Sequence, residues 1–71
     1  YQFKLTGMAG HAGTVPANLR LDAMCGTAEM VSAIEQFAIY NEIVATVGRC
    51  VVFPAAFNVI AGEVHFTIDI R

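Results

Sequence analysis

The chain has 71 residues, 56% hydrophobic and 14% charged, with a net charge of −2 and a pI near 5.4. No basic stripe marks a nucleic-acid partner, and no run of about 18 uncharged apolar residues marks a membrane span. A short chain this apolar is expected to be a piece of a larger protein, with part of its surface covered by another domain or chain. The start at Tyr1 and the end at Arg71, inside a strand-like pattern, support the same expectation, and no leader peptide is recognisable.

Tyr1 to Thr6 alternates, with Tyr1, Phe3 and Leu5 on one side and Gln2, Lys4 and Thr6 on the other. This predicts a half-buried strand. Gly7, Gly10 and Gly13 then mark a backbone that turns or is closely approached. The segment from Gly10 to Pro16 presents His11 on that glycine-rich turn, with no bulky neighbour.

Pro16 and Asn18 signal a helix entry, and Asp22 suits the first turn. From about Arg20 to Tyr40, Met24, Ala28, Val31, Ile34 and Ala38 recur at three and four residues, widened by Met30 and Phe37. Gly26 lies inside this helix and suggests a close packing contact. Asn41 ends the pattern. Val44 to Phe53 reads as a valine-rich strand with a bulge at Gly48, and residues 54–62 read as a turn region. From Glu63 to Arg71, Val64, Phe66, Ile68 and Ile70 face the core, and His65, Thr67, Asp69 and Arg71 face away.

Strand, helix, strand, strand predicts an α+β fold: an antiparallel sheet with the helix on one face, a partial ferredoxin-like sandwich. The second helix and fourth strand of a complete unit are missing. The two cysteines, Cys25 and Cys50, lack metal-type spacing and are expected to be buried free thiols of a cytoplasmic protein.

Three polar residues stand out as site candidates. The ring N–H of His11 suits a substrate carbonyl oxygen that gains charge. Asn58 and Arg71 together suit a carboxylate clamp, with Asp69 placed to orient the arginine. For each there is a plainer alternative: a turn histidine bonded locally, an asparagine serving the backbone, a solvated arginine. His65 and Asp69 share a face but lie roughly 13 Å apart along a strand, too far to share one ion. The glycine-rich loop lacks the lysine of a P-loop and the dinucleotide fingerprint. No nucleophile here has a partner base.

Gly10 to Pro16, followed by Arg20, Asp22 and Ala23, resembles the opening of the lid, or dimerization, domain of the aminoacylase/carboxypeptidase superfamily of metallohydrolases. It most resembles the branch of allantoate amidohydrolases and N-carbamoyl-L-amino acid hydrolases. The stretches from Ala45 to Gly48, Asn58 to Ile60, Gly62 to Val64 and Phe66 to Arg71 match the same branch, and Val15 favours allantoate amidohydrolase. Two positions depart from the pattern: Ala17 stands where methionine is usual, and Ala61 where proline is usual.

The resemblance implies that residues 1–71 are a single, truncated lid domain of a hydrolase cleaving a C–N bond of a ureido acid such as allantoate. The catalytic domain, with two divalent metal ions (zinc or manganese) and a glutamate base, would lie outside this chain, and the fragment alone would be inactive and bind no metal. His11 would act on the carbonyl, from across a homodimer formed with a second copy, while Asn58 and Arg71 would hold the substrate carboxylate. The alternatives are an N-carbamoyl-L-amino acid hydrolase lid and a stand-alone dimerization module with no catalytic role.

Overall fold

The last long strand organises the molecule. In the computed structural model, which describes residues 1–71, the elements in order are β1 (Gln2–Thr6), β2 (Gly10–His11), a 3-10 turn (Ala17–Leu19), α1 (Ala23–Asn41), β3 (Ala45–Phe53), β4 (Val59–Ile60) and β5 (Glu63–Ile70). β5 lies between β1 and β3 and is antiparallel to both. Phe3 sits opposite Phe66 and Leu5 opposite Val64, while Val47 is paired with Ile68 and Val52 with Val64. The two phenylalanine rings stack with centroids 5.5 Å apart. These pairs put the apolar residues of three strands on the face that α1 covers. This is the α+β, strand–helix–strand–strand arrangement read from the sequence.

Gly48 interrupts the β3–β5 register, which shifts between Val47 and Arg49 as the bulge prediction requires. The core is small: Ala23, Ala61, Val64, Phe66 and Ile68 form one buried cluster, with Ile34, Val47 and Val52 packed against it.

Val31, Ile34 and Ala38 of the predicted stripe do turn inward, half-buried or buried, but the stripe misses the inward face of the first turns. Ala23, Thr27 and Ala38 are buried, whereas Met24, Ala28, Met30 and Phe37 are exposed. Apolar residues occur on nearly every side of α1, so spacing alone does not single out a face. The small residues decide it. A β-carbon on Gly26 would stand 2.7 Å from Cδ2 of Leu5, so the helix approaches β1 closely where it carries no side chain. The Thr27 hydroxyl is fully buried and keeps a partner by donating to the Ala23 carbonyl at 2.8 Å.

Three further expectations are corrected. Asp22 is the helix N-cap, outside the first turn, and its carboxylate accepts from the N–H groups of Met24 and Cys25. Ile70 is half exposed, because nothing covers the end of β5 on the helix side. Both cysteines are exposed: Cys25 lies on the open side of α1, and Cys50 lies opposite Phe66 on the outer strand β3, beyond the cover of the helix. No helix is long and apolar enough to cross a membrane.

Candidate functional site

The two loops that leave the same end of the sheet meet and pair. β2 and β4 form a separate two-stranded antiparallel sheet, with His11 opposite Val59 and Gly10 opposite Ile60. The Ala12 N–H donates to the Asn58 carbonyl at 2.9 Å. Both segments read as turns in the sequence. They pair because each carries backbone donors and acceptors that need partners, and two pairs of residues suffice to supply them. His11 is therefore fixed in a short strand, one residue before the turn.

The turn itself is built on the histidine. Its carbonyl accepts from the N–H groups of Thr14 and Val15 and from the Thr14 hydroxyl. Its side-chain Nδ1 accepts from the Gly13 N–H at 3.0 Å. In the neutral ring this places the proton on Nε2, which is left as a donor on an exposed side chain. Gly13 has a second task. A β-carbon there would lie 3.2 Å from Cε1 and 3.3 Å from Nδ1 of the ring, so the imidazole rests where only glycine leaves ordinary room.

Asn58 lies beside this histidine along the chain pairing. It is half-buried and its side-chain amide makes no hydrogen bond within the domain, its carbonyl alone being used by Ala12. Phe57, next to it, is fully exposed. Ala61, at one of the two positions that depart from the family pattern, is buried, and its carbonyl accepts from the Ala23 N–H, which ties the segment after β4 to the start of the helix. Ala17, at the other, opens the exposed 3-10 turn.

Arg71 stands elsewhere. It follows β5 at the end opposite Glu63, on the order of 25 Å away at the rise of an extended strand. The Asn58 and His11 corner lies beyond Glu63, so the fold brings His11 and Asn58 together and holds Arg71 apart from both. Arg71 Nε donates to Asp69 at 3.0 Å, the orienting contact read from the sequence, which leaves both terminal nitrogens of the guanidinium unengaged. Main-chain bonds to Val44 in both directions fix its backbone.

The sheet face opposite the helix carries a polar group of its own. Glu63 accepts from the His65 ring at 2.7 Å and lies 3.9 Å from Lys4, and the Phe53 ring meets His65 edge-on. All are solvated, as the sequence suggested. No three His, Cys, Asp or Glu side chains stand close enough to hold a metal ion. The donors present do not fit a metal centre.

Arg20 ties the turn after His11 together. Its Nε donates to the Val15 carbonyl at 3.0 Å and its Nη2 to the Ala12 carbonyl at 2.7 Å. The signal in the sequence was an arginine with no carboxylate three or four residues away on either side.

Comparison with known proteins places this architecture. No family model matches the chain. Over its whole length it is 43% identical to an N-carbamoyl-L-amino-acid amidohydrolase of Pseudomonas sp. (strain NS671), and over 94% of its length it is 41% identical to a probable allantoate deiminase of Oryza sativa subsp. japonica. The crystal structure of a hydantoinase/carbamoylase family amidase from Burkholderia ambifaria superimposes on 99% of the chain with a TM-score of 0.95 and 38% identity. The chain is a small domain of the allantoate deiminase and N-carbamoyl-L-amino-acid amidohydrolase family. It spans 18% of each of these three relatives. The crystal structure of AtUAH, solved in complexes with glyoxylate and with (S)-hydroxyglycine, superimposes with a TM-score of 0.94 at 36% identity over 99% of this chain and 17% of its own.

Proposed function

We propose that these 71 residues are a lid and dimerization domain of an amidohydrolase that hydrolyses a C–N bond of a ureido acid, allantoate first among the candidates. The observation that carries this reading is the bond from the Gly13 N–H to His11 Nδ1, which leaves Nε2–H as an exposed donor. A donor held in this way lowers the energy of a carbonyl oxygen that gains charge as its carbon is attacked. The metal ions and the base expected of the parent enzyme belong to residues outside this chain.

The separation of Arg71 from His11 and Asn58 shapes the rest of the proposal. One small substrate does not span some 25 Å of strand. A pocket that uses all three residues takes His11 and Asn58 from one protomer and Arg71 from another. The guanidinium then grips the substrate carboxylate, a group present in the glyoxylate bound by AtUAH. Asn58 supplies its uncommitted amide to the same substrate from the histidine side.

Kinetics on the full-length chain test this. His11→Ala is expected to lower kcat by about 100- to 1,000-fold with a smaller change in KM. Arg71→Lys is expected to raise KM, at a loss of roughly 1.5–3 kcal/mol for a charged hydrogen bond. In a mixed dimer, a His11→Ala chain with intact metal ligands and a partner with broken ligands but intact His11 should together form one working pocket. Absence of any recovered activity would refute the shared site. The identities of 43% and 46% to carbamoylases of Pseudomonas and Paenarthrobacter aurescens favour N-carbamoyl-L-amino acids as the second substrate class, and assay of both classes decides between them.

A further inference from the structure

The loop that presents His11 is held at its far side by a single side chain. The peptide after His11 is bonded in two directions: the Ala12 N–H to the Asn58 carbonyl, and the Ala12 carbonyl to Arg20 Nη2. The same guanidinium reaches the Val15 carbonyl through Nε, on the other side of the turn. Gly13, whose N–H fixes the ring, lies between these two anchor points. None of the three ion pairs of the domain includes Arg20, so its charge is directed at the two carbonyls. Arg20 is itself fixed by the 3-10 turn that precedes it, through Leu19 N–H to Pro16 and Arg20 N–H to Ala17.

We propose that Arg20 is a positioning residue for His11. It closes the turn from Ala12 to Val15 so that the Gly13 N–H meets Nδ1 and Nε2–H points at substrate, without touching substrate itself. Lysine cannot substitute, because one ammonium on a flexible stem does not hold the fork geometry that spans two carbonyls. The inference rests on the proposed role of His11 and concerns a residue for which that role makes no demand.

The test uses the full-length enzyme with Arg20→Ala, Arg20→Lys, His11→Ala and the double variant of His11→Ala with Arg20→Ala. Arg20→Ala is expected to lower kcat by about 10- to 100-fold, the scale of a donor displaced by about 1 Å, with KM within about threefold. Arg20→Lys is expected to regain little of this, and millimolar guanidinium to restore part of the Arg20→Ala loss. In the His11→Ala background, Arg20→Ala is expected to cost no further kcat, since a residue that acts only through the histidine has nothing left to position. Losses that multiply in the double variant would overturn the proposal. So would a kcat per folded molecule that stays unchanged in Arg20→Ala.

Nitrogen NMR of the His11 ring keeps the two readings separable. If His11→Ala leaves kcat intact, the catalytic reading of the histidine fails. The ring nitrogens of the wild type and of Arg20→Ala then report on the clamp alone. Loss of the fixed Nε2–H signature in Arg20→Ala supports the clamp, and an unchanged signature overturns it.

Discussion

Asp22 shows how one side chain in this domain serves two groups. Its carboxylate caps the helix by accepting from the Met24 and Cys25 N–H groups at 2.9 and 3.4 Å. It also holds the Cys25 thiol above the ordinary cysteine range, first as a hydrogen-bond acceptor and then as a negative charge. Removing it therefore has two expected outcomes. Asp22→Ala is expected to destabilise the fold by about 1 kcal/mol, the usual cost of a lost N-cap. It is also expected to speed alkylation of Cys25 between pH 8 and 9 (on the order of severalfold), because the thiolate forms at lower pH once the carboxylate is gone. Mass-spectrometric alkylation rates check this, and an unchanged rate would refute it. The cap residue was visible in the sequence as an acid near a helix start. Its effect on the thiol was not, because the exposure of Cys25 depends on which way α1 turns, and the residue pattern had placed that thiol inside. The candidate site divides in the same way. His11, Asn58 and Arg71 were each legible as polar residues in special settings. That Gly13 fixes the histidine tautomer depends on backbone geometry that no spacing rule supplies, whereas the distance of Arg71 from Glu63 follows from counting residues along the strand.

At the level of the elements, alternation predicted strands β1 and β5 to within a residue or two at each end, because period two has no competitor in a half-buried sheet. The helix and the later part of its inward face (Val31, Ile34, Ala38) follow from the spacing, but the inward residues of its first turns, Ala23 and Thr27, do not, since small residues set the contact with the sheet there. Its far end shows a compromise of a different kind. Glu42 follows the last turn in the left-handed region, at φ 55 and ψ 38, and its N–H donates back to Ala38 and Ile39. Glycine is the residue this position favours. Glu42→Gly is expected to stabilise the domain by about 0.5–1 kcal/mol, less whatever freedom the glycine adds to the unfolded chain. Thermal unfolding of the full-length chain measures it, and a fall in midpoint would count against the cap assignment. Strands β2 and β4 were missed altogether: each is only two residues long, too short for any period to register.

For the molecule as a whole, the imbalance of buried and exposed apolar surface dominates. Eight of the 71 residues are buried, while Leu19, Leu21, Phe37, Ile39 and Tyr40 are each more than 60% exposed. Both outer strands of the main sheet, β1 and β3, present an unpaired edge. Produced on its own, the domain is expected to self-associate at micromolar concentrations. Sedimentation across a dilution series tests this, and a well-folded monomer at high concentration would contradict it. The composition had already hinted at this excess. Its arrangement, with both faces of α1 apolar and a thin core beneath, emerges only once the helix is placed.

The central position of β5 also sets an order in which the domain comes apart. Opening its middle residues means breaking a ladder on both sides and uncovering the buried cluster, so they should open only with the whole fold. The β2–β4 pair is two residues long and belongs to a separate sheet, so it can part at far smaller free energy while the core stays intact. His11 thus sits on a short ladder held by its own turn and the Arg20 guanidinium, and Arg71 just past the end of the strand that opens last.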